Sequence, residues 1–206
     1  MSTRVYDCLK AIGEKIIENK DFLTDLDREI GDADHGVNMA RGFQSVIEKV
    51  SQEDPDIGAA LKKTGMTLLS TVGGASGPLY GTAYMEAAKV LAGKQVLEPE
   101  DFKAALEAAI AGIQKRGKAE KGEKTMLDSL IPALEAYTDK IEAGAGLFEG
   151  LDAACKAANE GIEFTKTIAA TKGRASYLGD RSIGHQDPGA TSATMTLEVI
   201  RDFVKG

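Results

Sequence analysis

Proline, cysteine and histidine are scarce in this 206-residue chain, which has 5, 2 and 2 of them. Two cysteines cannot build a disulfide framework. Cys8 and Cys155 each fall on the apolar face of an expected helix, where they read as small core residues and not as a disulfide or metal pair. Scarce proline beside 23 glycines and a hydrophobic fraction of 43% excludes a disordered linker, which enriches both residues. The glycines must therefore occupy particular backbone positions. No run of basic residues exists, and Lys+Arg of 25 against Asp+Glu of 32 leaves a net charge of −7. Nucleic acid is thereby excluded as a partner on electrostatic grounds.

Also missing is an unbroken apolar start. The N-terminal MSTRVYDCLKAIGEK is interrupted by Arg4, Asp7 and Lys10, so it is not a secretory signal, and the expected location is the cytoplasm. One charge-free stretch, Thr64 to Met85, has 22 residues, five of them glycine and six Ser or Thr. That composition argues for two soluble helices around a turn at 73–78 and against a membrane span.

What is present is helical periodicity throughout, with no convincing strict alternation, so the expected class is all-α in a single domain over residues 1–206. Apolar stripes run through Val5–Ile16, Phe43–Val50, Ile57–Val72, Tyr80–Leu91, Phe102–Ile113, Leu127–Ile141, Leu147–Ile162 and Ala193–Val204. A short helix around Phe22–Asp27 brings the total to eight or nine, joined by connections short enough to make neighbours antiparallel. Gly93 and Gly117 read as helix terminators, Pro99 as a helix opener, and Thr125 with Asp128 as a capping pair. Pro132 is expected to bend its helix. Thr171 to Pro188 is the least helical segment, long enough to suggest a binding loop.

Three loops carry the chemistry: Asp27–Gly36, Gly73–Pro78 and Gly184–Gly189. Each abuts a helix start, where free N–H groups and the positive dipole end favour phosphate, and small residues allow it to come close. Asp27, Asp32 and Asp34 crowd three negative charges into eight residues, a pattern suited to Mg2+ shared with substrate phosphates. The same triplet also reads as a solvated acidic turn with Asp34 capping the next helix. An EF-hand is excluded, because counting from Asp32 places Phe43 where the bidentate Glu should stand. Gly112–Ala119 imitates a Walker A loop but ends on Ala119 in place of Ser or Thr and follows a helix, not a strand. Arg174 and Arg181 read either as phosphate ligands or as exposed surface residues. No activated nucleophile can be assembled around His35, His185 or either cysteine, and phosphoryl transfer, which relies on positioning and charge neutralisation, needs none.

Gly31-Asp32-Ala33-Asp34-His35-Gly36-Val37-Asn38-Met39, Gly73-Gly74-Ala75-Ser76-Gly77 and Gly184-His185-Gln186-Asp187-Pro188-Gly189-Ala190, in this order in a helical chain, closely resemble the L-subunit family of dihydroxyacetone kinases. The resemblance implies a closed barrel of about eight antiparallel amphipathic helices, with ADP or ATP and two Mg2+ ions bound at one end. Transferred position by position, it makes Asp27, Asp32 and Asp34 the magnesium ligands. It assigns His35, Gly36, Val37 and Asn38, then Ala75 and Ser76, to the nucleotide and its phosphates. Gly117 and Met126 would border the adenosine, and Arg174 with Asp187, Pro188 and Gly189 would close the site.

The family works in two modes. In fused kinases this domain follows a substrate-binding K domain and exchanges its nucleotide. In the phosphotransferase form it stands alone with tightly held ADP, which a phosphohistidine on an M subunit converts to ATP for the dihydroxyacetone held on a K subunit. A 206-residue chain has no room for a K domain, so the resemblance favours the second mode, with K and M subunits as partners. A regulatory protein and a homodimer are compatible further partners. The rival readings are an ATP-dependent kinase module for another small ketose and a nucleotide-sensing module that binds a regulator.

Overall fold

The computed structural model describes residues 2–52, 54 and 56–205. Among them are nine α-helices: α1 (Ser2–Glu18), α2 (Lys20–Ile30), α3 (His35–Lys49), α4 (Ile57–Thr71), α5 (Ser76–Val90), α6 (Pro99–Gly117), α7 (Leu127–Glu142), α8 (Leu147–Thr165) and α9 (Pro188–Lys205). The helix expected around Phe22–Asp27 is thus longer than its apolar stripe. The segment expected to be least helical carries a 3-10 stretch, Arg174–Ser182, broken by a non-helical Gly179.

Eight helices close into a ring. Going round it, α1 packs on α3, then each helix packs on the next from α3 to α9, and α9 returns to α1. The short α2 bridges α1 and α3 at one end and touches α9 and the 3-10 stretch. The ring forms because each helix has one apolar stripe that only neighbours can cover. In α1, Leu9, Ile12 and Ile16 are buried while Lys10 and Glu14 between them face solvent. In α6, Phe102, Leu106, Ile110 and Ile113 repeat the pattern, and Phe102 meets the Tyr137 ring of α7 at 5.0 Å. Cys155 is buried and Cys8 half-buried, both unpaired, and burial pushes each thiol up to about 12, as expected of core cysteines. An apolar cavity of about 190 Å3 remains in the barrel interior, with Cys8 and Tyr84 in its wall, and the buried Tyr84 hydroxyl has no hydrogen-bond partner among the described residues.

The charge-free stretch folds as read, with α4 ending at Thr71 and α5 beginning at Ser76, and among the described residues no helix is long and apolar enough to cross a membrane. Its helical glycines serve packing: a Cβ on Gly65 would lie 2.8 Å from the Gly81 carbonyl, and one on Gly81 would lie 2.9 Å from the Gly65 carbonyl. The α6 opener is a capping box in which Glu98 and Asp101 exchange bonds ahead of Pro99. Thr125 and Asp128 brace the start of α7 without a reciprocal box: Asp128 Oδ2 accepts from the Thr125 amide at 2.8 Å, and Thr125 Oγ1 accepts from the Leu127 amide at 3.2 Å.

One expectation needs correction. Gly117 does not supply the left-handed turn that ends α6; Lys118 does, at φ 49°, and Gly117 is the last helical residue. Pro132 lies inside α7, as read, with the helix continuing on both sides of it. It leaves the Asp128 carbonyl without its helical donor, and Gly161 of α8 sits so close to that carbonyl that a Cβ would collide with it. Gly161→Ala should therefore lower stability by about 2 kcal/mol, measured by urea denaturation, because the obstacle is backbone and cannot swing away. A change below about 0.5 kcal/mol would show that α7 and α8 separate freely.

Candidate functional site

Up-and-down connectivity sends every second connection to the same end of the barrel, and there the links α2–α3, α4–α5, α6–α7 and α8–α9 surround a cavity of about 390 Å3. Asp27 reaches it from the last turn of α2, and Asp32 and Asp34 from the turn that follows, in which Ala33 is left-handed at φ 59°. One carboxylate oxygen from each of the three lies within 4.8 Å of the others. Asp34 does not cap α3 with its side chain, contrary to the bland alternative. Asp27 takes that role from outside the helix: its Oδ2 accepts from the Asp34 amide at 2.8 Å and the His35 amide at 3.1 Å. Its Oδ1 is left beside Gly31, where any Cβ would collide with it.

The crowding shows in the titration of Asp34. Burial first, then the Asp32 charge, raise its carboxyl above the usual range, against a hydrogen bond from Asn38. Arg174 relieves part of the charge, with Nε 2.7 Å from Asp32 Oδ2.

Three helix starts, those of α3, α5 and α9, face this acidic corner, and His35 ties them together. Its Nδ1 lies 3.0 Å from Ser76 Oγ on α5 and its Nε2 lies 2.9 Å from Ser192 Oγ on α9, which in turn is 2.6 Å from the Tyr80 hydroxyl. Burial depresses the imidazole to about 4, so it is neutral at pH 7, and both ring nitrogens are engaged. The α9 start is capped by Asp187, whose Oδ2 accepts from the Ala190 amide at 2.6 Å, with Pro188 in the first helical position. Burial pushes the Asp187 carboxyl up to about 7.

Asp27, Asp32, Asp34, His35, Ala75, Ser76, Gly117, Met126, Arg174, Asp187, Pro188 and Gly189 all line this one cavity. Gly36, Val37 and Asn38 lie outside its wall. Gly36 is pressed against the Lys20 carbonyl of α2, Val37 is exposed, and Asn38 accepts a 2.7 Å bond from Arg41 and lies against Gly73. Away from the carboxylates one stretch of the wall is apolar: Leu79, Ile113, Met126 and Leu127 flank Gly117, whose missing side chain keeps a slot open, since a Cβ would lie 3.1 Å from Leu79 Cδ2. A flat ring fits such a slot, and an anion suits the helix starts.

Arg181 is exposed and not part of the wall, while His185 is half-exposed with Nδ1 3.8 Å from Glu29 Oε2. Lys124 was missed by sequence reasoning. It lines the cavity yet is only 1% exposed, whereas its setting Gly117-Lys118-Ala119-Glu120-Lys121-Gly122-Glu123-Lys124 reads as a solvated charged loop. Nothing in local composition distinguishes it from Lys118 and Lys121.

The model of the DAK2 domain matches residues 29–202. The chain is 47% identical over 199 residues to the ADP-binding subunit of the PEP-dependent dihydroxyacetone kinase of Escherichia coli K12, covering 96% of this chain and 95% of that one. It is 41% identical over 197 residues to the ADP-binding subunit of the PTS-dependent enzyme of Lactococcus lactis, covering 95% and 94%. Human triokinase/FMN cyclase matches at 34% over 206 residues, 99% of this chain but 36% of that longer protein. Among solved structures, the dihydroxyacetone kinase of C. freundii in complex with AMP-PNP and Mg2+ superposes with a TM-score of 0.70 at 23% identity, over 96% of this chain and 33% of that one, a likeness of fold. The all-helical barrel, the acidic corner and these relatives agree: the chain belongs to the DAK2 domain family, alongside the ADP-binding subunits of dihydroxyacetone kinases.

Proposed function

We propose that this chain is the nucleotide-carrying subunit of a phosphoenolpyruvate-dependent dihydroxyacetone kinase in the cytoplasm. In that role it keeps ADP with two Mg2+ ions, an M subunit's phosphohistidine recharges the nucleotide, and the phosphoryl group passes to dihydroxyacetone on a K subunit. The observation that carries the reading is the meeting of three carboxylates with three helix N-termini in one cavity. The carboxylates call for a cation and the helix starts for an anion, and a magnesium–diphosphate is both.

The donor set fits magnesium: three hard carboxylates in an open turn, with Asp27 keeping Oδ1 uncommitted while Oδ2 caps α3. Bound there, the metal supplies charge neutralisation for the phosphoryl oxygens. This chain's own part is to bind and orient. Asp27, Asp32 and Asp34 would hold the metal. The amides at the α5 start, around Ala75 and Ser76, and the Gly189 amide at the α9 start, next to Pro188, which has no N–H to give, would receive phosphate oxygens. Gly117 and Met126 would enclose the base. His35, neutral and doubly bonded, sets the spacing of the helix starts and takes no proton at pH 7. Gly36, Val37 and Asn38 would contribute, if at all, through the backbone of the first turn of α3. Arg174, paired with Asp32, is placed to move to phosphate once a metal satisfies that carboxylate.

Mixing the ADP-loaded protein with Mg2+, a K subunit and an M subunit already carrying its phosphohistidine should phosphorylate dihydroxyacetone with no ATP added, whereas activity that needs stoichiometric ATP would favour the exchanging mode. By calorimetry, Asp32→Ala and Asp34→Ala should each weaken Mg-ADP by about tenfold or more, and unchanged affinity in both would remove the metal site. Arg174→Ala should act in opposite directions. Binding of Mn2+ alone tightens up to about fivefold as an exposed ion pair to Asp32 is lost, while Mg-ADP weakens by about tenfold or more as a charge-assisted phosphate bond disappears.

The depressed His35 titration has a stability consequence. Unfolding restores an ordinary pKa near 6.5, so the unfolded chain takes up the proton first, and stability from this group is present above that value and is lost as pH falls toward about 4. Asp187, raised to about 7, works in the opposite sense over the same window. The His35 effect therefore appears as a difference: in EDTA, wild type should lose about 3 kcal/mol relative to His35→Gln between pH 7 and pH 4 in urea titrations. Parallel curves would mean that His35 is not held neutral.

A further inference from the structure

Lys124 is the only lysine among the described buried residues, and its backbone is left-handed at φ 60°. An ammonium has three protons and no acceptor, and removing it from water is costly unless each proton is matched. Here the partners are backbone carbonyls: Thr165 and His185 in short contacts, and Ile168 at 3.4 Å. Thr165 is the last residue of α8, whose terminal carbonyls lack helical donors and carry the negative end of the dipole. His185 stands two residues before Asp187, the cap of α9. One buried cation thus fastens the exit of α8 to the entry of α9.

Neighbouring bonds pinch the same loop. Thr165 Oγ1 accepts from the Asp187 amide at 3.0 Å, the Lys166 carbonyl from the Gly184 amide at 2.7 Å, and the Glu123 carbonyl from the Thr171 amide at 3.3 Å. Nearby carboxylates are committed elsewhere. Asp128 accepts from the Gly122 and Thr125 amides, holding the turn that presents Lys124, and Asp187 accepts from Ala190. Between the fastened ends lies the loop that carries Arg174, and beyond it the Pro188 helix start.

We propose that Lys124 is a positioning residue for the nucleotide: its ammonium clamps the ends of the 166–187 loop and so sets Arg174 and the α9 N-terminus toward the phosphates, without touching them itself. This rests on the nucleotide-binding reading of the cavity. A clamp of this kind depends on the N–H donors and their charge, not merely on a filled volume, which separates it from ordinary packing.

The test uses the full chain with Lys124→Met, which fills the space without a charge, and Lys124→Ala, which leaves room for an added amine. Both variants should keep the helical circular dichroism of the wild type, because Lys124 lies between α6 and α7. By calorimetry Mg-ADP should bind at least tenfold more weakly to each. Hydrogen exchange should speed up at the Thr171, Gly184 and Asp187 amides while the interiors of α1, α4, α5 and α6 stay protected. Propylammonium, which replaces the missing atoms, should restore at least fivefold of the lost affinity to Lys124→Ala. Tetramethylammonium, charged but without N–H groups, should not. Wild-type affinity in Lys124→Met, equal rescue by both cations or by neither, exchange loosened over the whole barrel, or failure of both variants to fold would each overturn the proposal. If wild type itself binds no Mg-ADP, the functional reading falls first, and local exchange with its response to propylammonium then decides the clamp alone.

Discussion

Charge of opposite demand is concentrated at one end of this molecule. Three carboxylates are crowded together there: burial first and then the Asp32 charge raise the Asp34 carboxyl, and Asp32 draws in Arg174. A few residues away, helix starts present amides that seek an anion. The protein resolves part of this internally, through Asp27 capping α3 and Asp187 capping α9, but each cap spends only one oxygen. A ligand carrying both signs, such as the magnesium diphosphate proposed above, would satisfy the remainder.

The barrel exists in a form that makes this meeting possible. An even-handed up-and-down ring places alternate connections at the same end, so four links from distant parts of the chain become neighbours. Their registration then depends on a few buried polar contacts that cross between helices. His35 spaces α3, α5 and α9 through two serine hydroxyls, and Lys124 joins the end of α8 to the entry of α9. Both are buried, both are fully bonded, and neither needs to touch substrate to matter. Apolar stripes alone would tolerate sliding of one helix against the next; fixed hydrogen-bond geometry does not.

The helices were legible because their signal is local. Stripes such as Leu9, Ile12 and Ile16, the Pro99 opener and the Thr125–Asp128 pair declare themselves within a few residues, and the structure places them accordingly. The acidic corner was legible for the same reason, because Asp27, Asp32 and Asp34 are close in sequence. Contacts that depend on long-range approach were not. Gly117 resembled a helix stop, whereas its lack of a side chain matters against Leu79 of another helix. Asp34 resembled a cap, but the preceding helix delivers Asp27 to the first amides of that helix start, those of Asp34 and His35. Lys124 hid among exposed lysines because its carbonyl partners lie 41 and 61 residues away. Glycines of α4, α5 and α8 that composition alone would send to loops instead allow helices to touch backbone to backbone.

On the proposed function, this cavity is completed by a magnesium-bound nucleotide that the protein keeps. Native mass spectrometry of the purified protein tests it most directly. The protein should carry a mass increment of one ADP with two Mg2+ ions that survives gel filtration and is lost in EDTA. A bare polypeptide mass, with no nucleotide regained on adding Mg2+ and ADP, would contradict it.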